Sequence, residues 1–245
     1  MSWKSLLIAV ALSWLLSGQL ATAQSQSQSH PNAQWQTKID GLLQSRSSMM
    51  RRIKIWFPDA YADYVDQLAL SGELPSETAN MEMANQLVSS IRRDHADFIR
   101  QASDGQLKSL VRADQLMYEA VLEKYGPDTC AEFALNGINA LTTEQALGIR
   151  YVVRLRGNLM LDAIREGMQS NKSLAEPSPE DWQILLDYWY STGGSEAKLE
   201  ALTDAENIPP DLCELSISFN DAIHELPGEA GQRIRAEIAS EAALN

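Results

Sequence analysis

The chain has 245 residues, with 20 Lys+Arg against 33 Asp+Glu, a formal net charge of −13 and two cysteines. That length accommodates one domain or a small pair, and a sizeable core without metal or a dense disulfide framework. An apolar content of 44% with 22% charged residues excludes wholesale disorder. The negative balance argues against nucleic acid and against adhesion to anionic lipid, both of which need a positive footprint.

Met1-Ser2-Trp3-Lys4 supplies a short positive start, and Ser5 to Leu16 is almost wholly apolar. Gly18 breaks that run, and Ala21-Thr22-Ala23 provides the small residues a signal peptidase needs. This pattern predicts a secretory signal peptide over residues 1–23, cleaved after Ala23. A membrane anchor is the competing reading, but the apolar core of about 11–12 residues falls short of the roughly 20 that span hydrocarbon. No cysteine follows the apolar core to carry a lipid, and no later stretch suits a span, so no membrane insertion is expected after cleavage. Cleavage removes Lys4 and no acid, so the expected product is acidic and exported, periplasmic or secreted.

Residues 24–34 form a polar Gln/Ser leader containing His30, expected to be a flexible tether. Helical signals then follow one another with short breaks. The first helix is predicted from Trp35 to Phe57, stopped by Pro58. A second opens at Pro58-Asp59 and ends near Gly72, and Ser76 caps a third that continues to about Ala102. Asp104-Gly105 precedes a fourth, ending at Tyr125-Gly126, and a shorter helix runs from Pro127 to Asn136-Gly137. Thr142 and Gln145 make a capping box for a helix reaching about Gln169. Ser178-Pro179-Glu180-Asp181 starts another, stopped by Gly193-Gly194. Ser195 to Ala205 is helical, Pro209-Pro210 opens a helix to about Leu226, and Glu229 to Ala243 is the last. Strand signals are nearly absent and no fixed-period repeat occurs. The sequence therefore predicts an all-α, irregular single-domain bundle of about nine or ten helices over residues 35–245, tied by one disulfide.

The disulfide assignment rests on Cys130 in Pro127-Asp-Thr-Cys and Cys213 in Pro210-Asp-Leu-Cys, each in the first turn of an expected helix. A reactive redox pair is the alternative, since a helix N-terminus lowers a thiol pKa. The Cys-x-x-Cys spacing is missing, and an Asp two residues before each Cys disfavours a thiolate. An oxidising compartment favours a structural bridge.

Three polar side chains interrupt apolar stripes written at helical spacing. Arg46 falls among Ile39, Leu42, Leu43, Met49, Met50 and Ile53. His95 occupies the open position among Leu87, Val88, Ile91, Phe98 and Ile99, and Asp114 interrupts Leu107, Leu110, Val111, Met117 and Val121. All three are expected to point inward, where a charge is costly unless paired. As chemistry, His95 and Asp114 read as a general-base pair with Arg46 as an anion clamp. As structure, they read as a buried polar network, which the sequence favours because no nucleophile motif accompanies them.

Other constellations are weaker. Asp59, Asp63 and Asp66 share a helix face that suits a cation or basic partner, though they lack a Ca²⁺-loop pattern and also read as a solvated face. Trp182, Leu185, Leu186 and Trp189 recur at core spacing, with Tyr188 and Tyr190 on the flanks near Gly193-Gly194, an arrangement that suits a binding rim as well as plain packing. Arg51, Arg52 and Lys54 form the one concentrated basic patch and are expected to pair with acids on neighbouring helices. No metal site and no cofactor is expected, because histidines stand alone and no phosphate loop or dinucleotide fingerprint occurs. The sequence favours a non-catalytic protein-binding role, with a basic protein as partner, in the manner of an immunity protein or inhibitor. The alternative is an exported acid–base enzyme, a hydrolase, using His95 and Asp114.

Overall fold

The computed structural model describes residues 33–70, 77–172, 174–203 and 209–244, apart from the side chains of Arg46 and of residues 77–82. The expected signal peptide and most of the leader lie outside the described residues. Twelve α-helices and one 3₁₀ turn are found there, with no strand. In order they are α1 (Ala33–Arg46), α2 (Ser48–Trp56), α3 (Pro58–Leu70), α4 (Glu77–Asp94), α5 (Ala96–Ile99), α6 (Asp104–Asn136), α7 (Thr143–Gly148), α8 (Arg150–Gln169), α9 (Pro179–Ser191), α10 (Glu196–Thr203), α11 (Leu212–Glu225) and α12 (Gly228–Leu244). The 3₁₀ turn, Gly137–Ala140, follows α6.

Local chemistry explains most boundaries. Ser178 caps α9 and forms a reciprocal capping box with Asp181, with Pro179 at the start of the helix. Thr142 and Gln145 do the same for α7. Helix α6 bends at Gly126, whose φ of 84° lies in the left-handed region, so it is two helical segments meeting where the sequence placed Tyr125-Gly126 and Pro127.

Three expected helices are each divided in two, which raises the number above nine or ten. The first breaks at Ser47, whose hydroxyl accepts from Met50 N and caps α2. The third breaks at His95 (φ −126°, ψ 15°), separating α4 from the single turn of α5. The helix after Thr142 breaks at Ile149, leaving α7 and α8. In addition, α1 opens at Ala33, so the last two residues of the expected tether are helical.

Helix α6 is the spine of the packing. Its Leu107 and Leu110 join a core built from α1–α5, the C-terminal half of α8 and Ala236, Ala239 and Ala243 of α12. Val111 faces a second cluster of Leu185, Trp189, Ala222, Ile223, Leu226 and Ile234, and Met117, Val121 and Phe133 face a third around the two cysteines and Ile149. Cys130 and Cys213 are fully buried and bonded, tying the far segment of α6 to α11 across 83 residues. In the chain-entropy view such a loop contributes about 4.5 kcal/mol. Reducing the folded protein, or the double substitution Cys130→Ala/Cys213→Ala, should lower the urea midpoint by the equivalent of about 3–5 kcal/mol. An unchanged midpoint would show that the bridge merely decorates a stable fold.

Candidate functional site

The expected pairing of His95 with Asp114 does not form among the described residues. Asp114 on α6 accepts a short hydrogen bond from Arg156 Nε on α8, and both side chains are mostly shielded. His95 lies half-buried at the α4–α5 junction against two rings, with centroids 5.2 Å from Phe57 and 6.0 Å from Phe98. No hydrogen bond or ion pair joins His95 to Asp114 among the described residues, so the geometry of a general base held by a carboxylate is not assembled. Arg46 closes α1, and its side chain lies outside the described residues. The partner of Asp114 escaped the sequence reading because Arg156 is 42 residues away.

Arg92, near the end of α4, shares this region. Burial, and then the charges of Arg156 and Arg93, hold its pKa below the usual guanidinium value, with Asp114 opposing. Tyr118 is held above the usual phenol value by burial and by Asp114.

The acids of α3 are divided. Asp59 and Asp63 are exposed, whereas Asp66 accepts 2.6 Å from Gln36 Nε2 on α1. Their intervening tyrosines are buried: Tyr61 donates 2.8 Å to Asp40 and accepts 3.0 Å from Gln44, and burial pushes its phenol up to about 12. Of the basic patch, Arg52 pairs with Asp162 at 2.8 Å and Lys54 with Asp40 at 2.7 Å. Among the described residues, no three His, Cys, Asp or Glu side chains are grouped to hold a metal ion. No helix there is long and apolar enough to cross a membrane.

Trp189 forms the anchor of the C-terminal aromatic cluster. It is fully buried, stacks edge-on to Phe219 at 5.1 Å and donates 3.0 Å to Ser218 Oγ. Tyr188 and Tyr190 are only partly buried against it. Gly194 packs onto the indole so closely that a Cβ there would lie 2.4 Å from the ring. Gly194 therefore serves close packing at this corner, and Gly193 supplies the positive φ (114°) of the turn before it.

Around this corner α9, α10 and α11 present Asp187, Glu196, Glu200, Glu214, Asp221 and Glu225, all exposed. Residues 171–245 carry 15 acids and four bases, a balance of −11, whereas residues 1–170 carry 18 and 16. Nearly all of the net charge thus belongs to the C-terminal third. Most of its few bases are internally engaged. Arg233 binds Asp181 through Nε at 2.9 Å and Nη2 at 2.7 Å, and Lys198 donates to the Gly193 carbonyl at 2.7 Å. The fully buried Arg235 pairs with Asp104.

No family model, curated protein or solved structure matches the chain.

Asp181 offers a pH-dependent probe of how this corner is held. Its carboxyl is only 4% exposed, and hydrogen bonds first from Arg233 and then from Ser178 N depress its pKa to about 2. A depressed carboxylate stabilises the fold above its unfolded pKa and loses that contribution as pH falls through the folded value. The stability deficit of Asp181→Asn should therefore be full above about pH 4 and shrink toward pH 2. Urea titrations across that range check it, and a deficit independent of pH would contradict the ion-pair account.

Proposed function

We propose that the protein is an exported, non-catalytic binding protein that engages a basic partner protein through the acidic corner formed by α9, α10 and α11. The concentration of charge carries this reading: residues 171–245 have a balance of −11, and within them α9, α10 and α11 carry eight acids against one base and expose six named carboxylates. Like charges displayed on a packed surface with few basic side chains among them create a field that steers an oppositely charged partner. Tyr188 and Tyr190 lie beside that field and supply partly buried amphipathic contact area of the kind that anchors interfaces. Asp59 and Asp63, exposed on α3, add a separate smaller acidic face. The leader-like residues 1–23 support export, and an envelope-acting basic enzyme neutralised by this chain is the concrete form of the proposal.

The test compares the mature chain, residues 24–245, with a variant carrying Asp187→Asn, Glu196→Gln, Glu200→Gln, Glu214→Gln and Asp221→Asn. Capture from the envelope fraction of the producing cell at low salt should retain one discrete basic protein on the parent chain and release it at high salt. The variant should associate with that protein at least about tenfold more slowly at low salt. Equal association by both chains, or no basic protein enriched at any salt, would overturn the proposal.

A further inference from the structure

We propose that Arg92, Arg93 and Arg156, gathered where the end of α4 meets the α6–α8 seam, form a binding site for an oxyanion, a carboxylate or phosphate group. The site is separate from the acidic corner and does not depend on the function proposed for it.

Arg92 is half-buried, and its Nε is shielded from solvent with no hydrogen-bond partner. Among the described residues its Nη2 makes a single, 3.4 Å contact, with Ser89 on its own helix. The charges that act on it are Arg156 and Arg93, both repulsive, and Asp114, which is attractive. Asp114 is already engaged by Arg156. Arg92 thus faces two guanidiniums and one carboxylate, and that carboxylate is already bound by Arg156.

A helix C-terminus favours cations, and that accounts for the exposed Arg93 in the last turn of α4. It does not account for Arg92, whose Nε is buried and finds no backbone carbonyl. A shielded guanidinium donor without an acceptor is costly, and an arriving oxyanion removes the cost on both counts by accepting the bond and neutralising the charge. The planar fork of arginine matches carboxylate and phosphate through paired N–H donors, which lysine cannot do. Arg156, oriented by Asp114, is placed to add a second charge.

The experiment titrates the mature chain with inorganic phosphate and, separately, acetate, at constant ionic strength balanced with chloride. One readout is the Nε–Hε resonance of Arg92 in the ¹⁵N NMR spectrum, assigned by its loss in Arg92→Lys. The other is Tm, measured also for Arg92→Leu and for Arg112→Leu as a control, since Arg112 pairs instead with Glu119 at 3.2 Å. A saturable shift of the Arg92 resonance is expected, with a rise in Tm of about 2–4 °C that Arg112→Leu retains and Arg92→Leu loses. The anion saturating at the lower concentration identifies the group as phosphate or carboxylate. If Arg92→Leu fails to fold, the parent chain's resonance decides the matter. An unresponsive or non-saturating resonance with both anions, or equal Tm changes in all variants, would reduce the effect to general salt stabilisation and overturn the proposal.

Discussion

A buried guanidinium joins the C-terminal helices to the start of α6, at the opposite end of that helix from the disulfide. Arg235 on α12 is completely shielded from solvent, and its nitrogens are engaged in two directions. Nε and Nη2 donate to Asp104 Oδ1 at 3.0 and 2.5 Å, at the first residue of α6. Nη1 donates to the carbonyls of Ile223, His224 and Leu226, at 2.8, 3.3 and 2.9 Å, at the end of α11. Carbonyls at a helix C-terminus lack intrahelical partners and carry partial negative charge, while a helix N-terminus favours the Asp104 carboxylate. One cation thus satisfies two helix ends at once. The approach is tight, since a Cβ on Gly231 would lie 2.2 Å from the Leu226 carbonyl oxygen.

The same logic recurs wherever a charge is drawn inward. Arg100 binds Glu237 to join the α5 region to α12, Arg233 binds Asp181 to join α12 to α9, and Arg156 binds Asp114 to join α8 to α6. Each arginine bridges helices distant in sequence and neutralises an acid that would otherwise be stranded. This internal pairing takes up most bases of the C-terminal third, and the six carboxylates named on α9, α10 and α11 stand outward. Packing and surface electrostatics are therefore linked. The helices that present the acidic corner are held by the arginines that do not dilute its charge. Arg92 differs, because its shielded Nε has no hydrogen-bond partner.

Much of the architecture was legible because helix ends are local events. Ser178 with Asp181, Thr142 with Gln145, and Gly126 before Pro127 all mark boundaries through hydrogen bonds or φ values that a few neighbouring residues determine. The break at His95 was not legible, because the 3.6-residue apolar period runs through it without Gly or Pro, whereas the break at Ile149 follows Gly148, a signal the continuing apolar period overrode. Ser47 reads equally as helix interior or as a cap. The inward placement of Asp114 followed from periodicity, but periodicity assigns a face and not a partner, so Arg156 was missed. Arg235 carried the same signal, lying at helical spacing among Gly231, Ile234 and Ile238. The acidic corner was present as a count, and only the packing of α9, α10 and α11 turned that count into a surface.

The central claim is that α11 and α12 form one cooperative layer with the start of α6, fastened through Arg235, rather than a loosely docked appendage. Native-state hydrogen exchange on the parent chain and on Arg235→Met tests it directly. Replacing one partner of a buried charged network with an apolar chain of similar length removes roughly 3 kcal/mol or more. In the variant, amides of α11, α12 and the first turns of α6 should lose protection together by that amount, through a shared opening. Loss confined to α12, with α11 and α6 protected as before, would contradict the account.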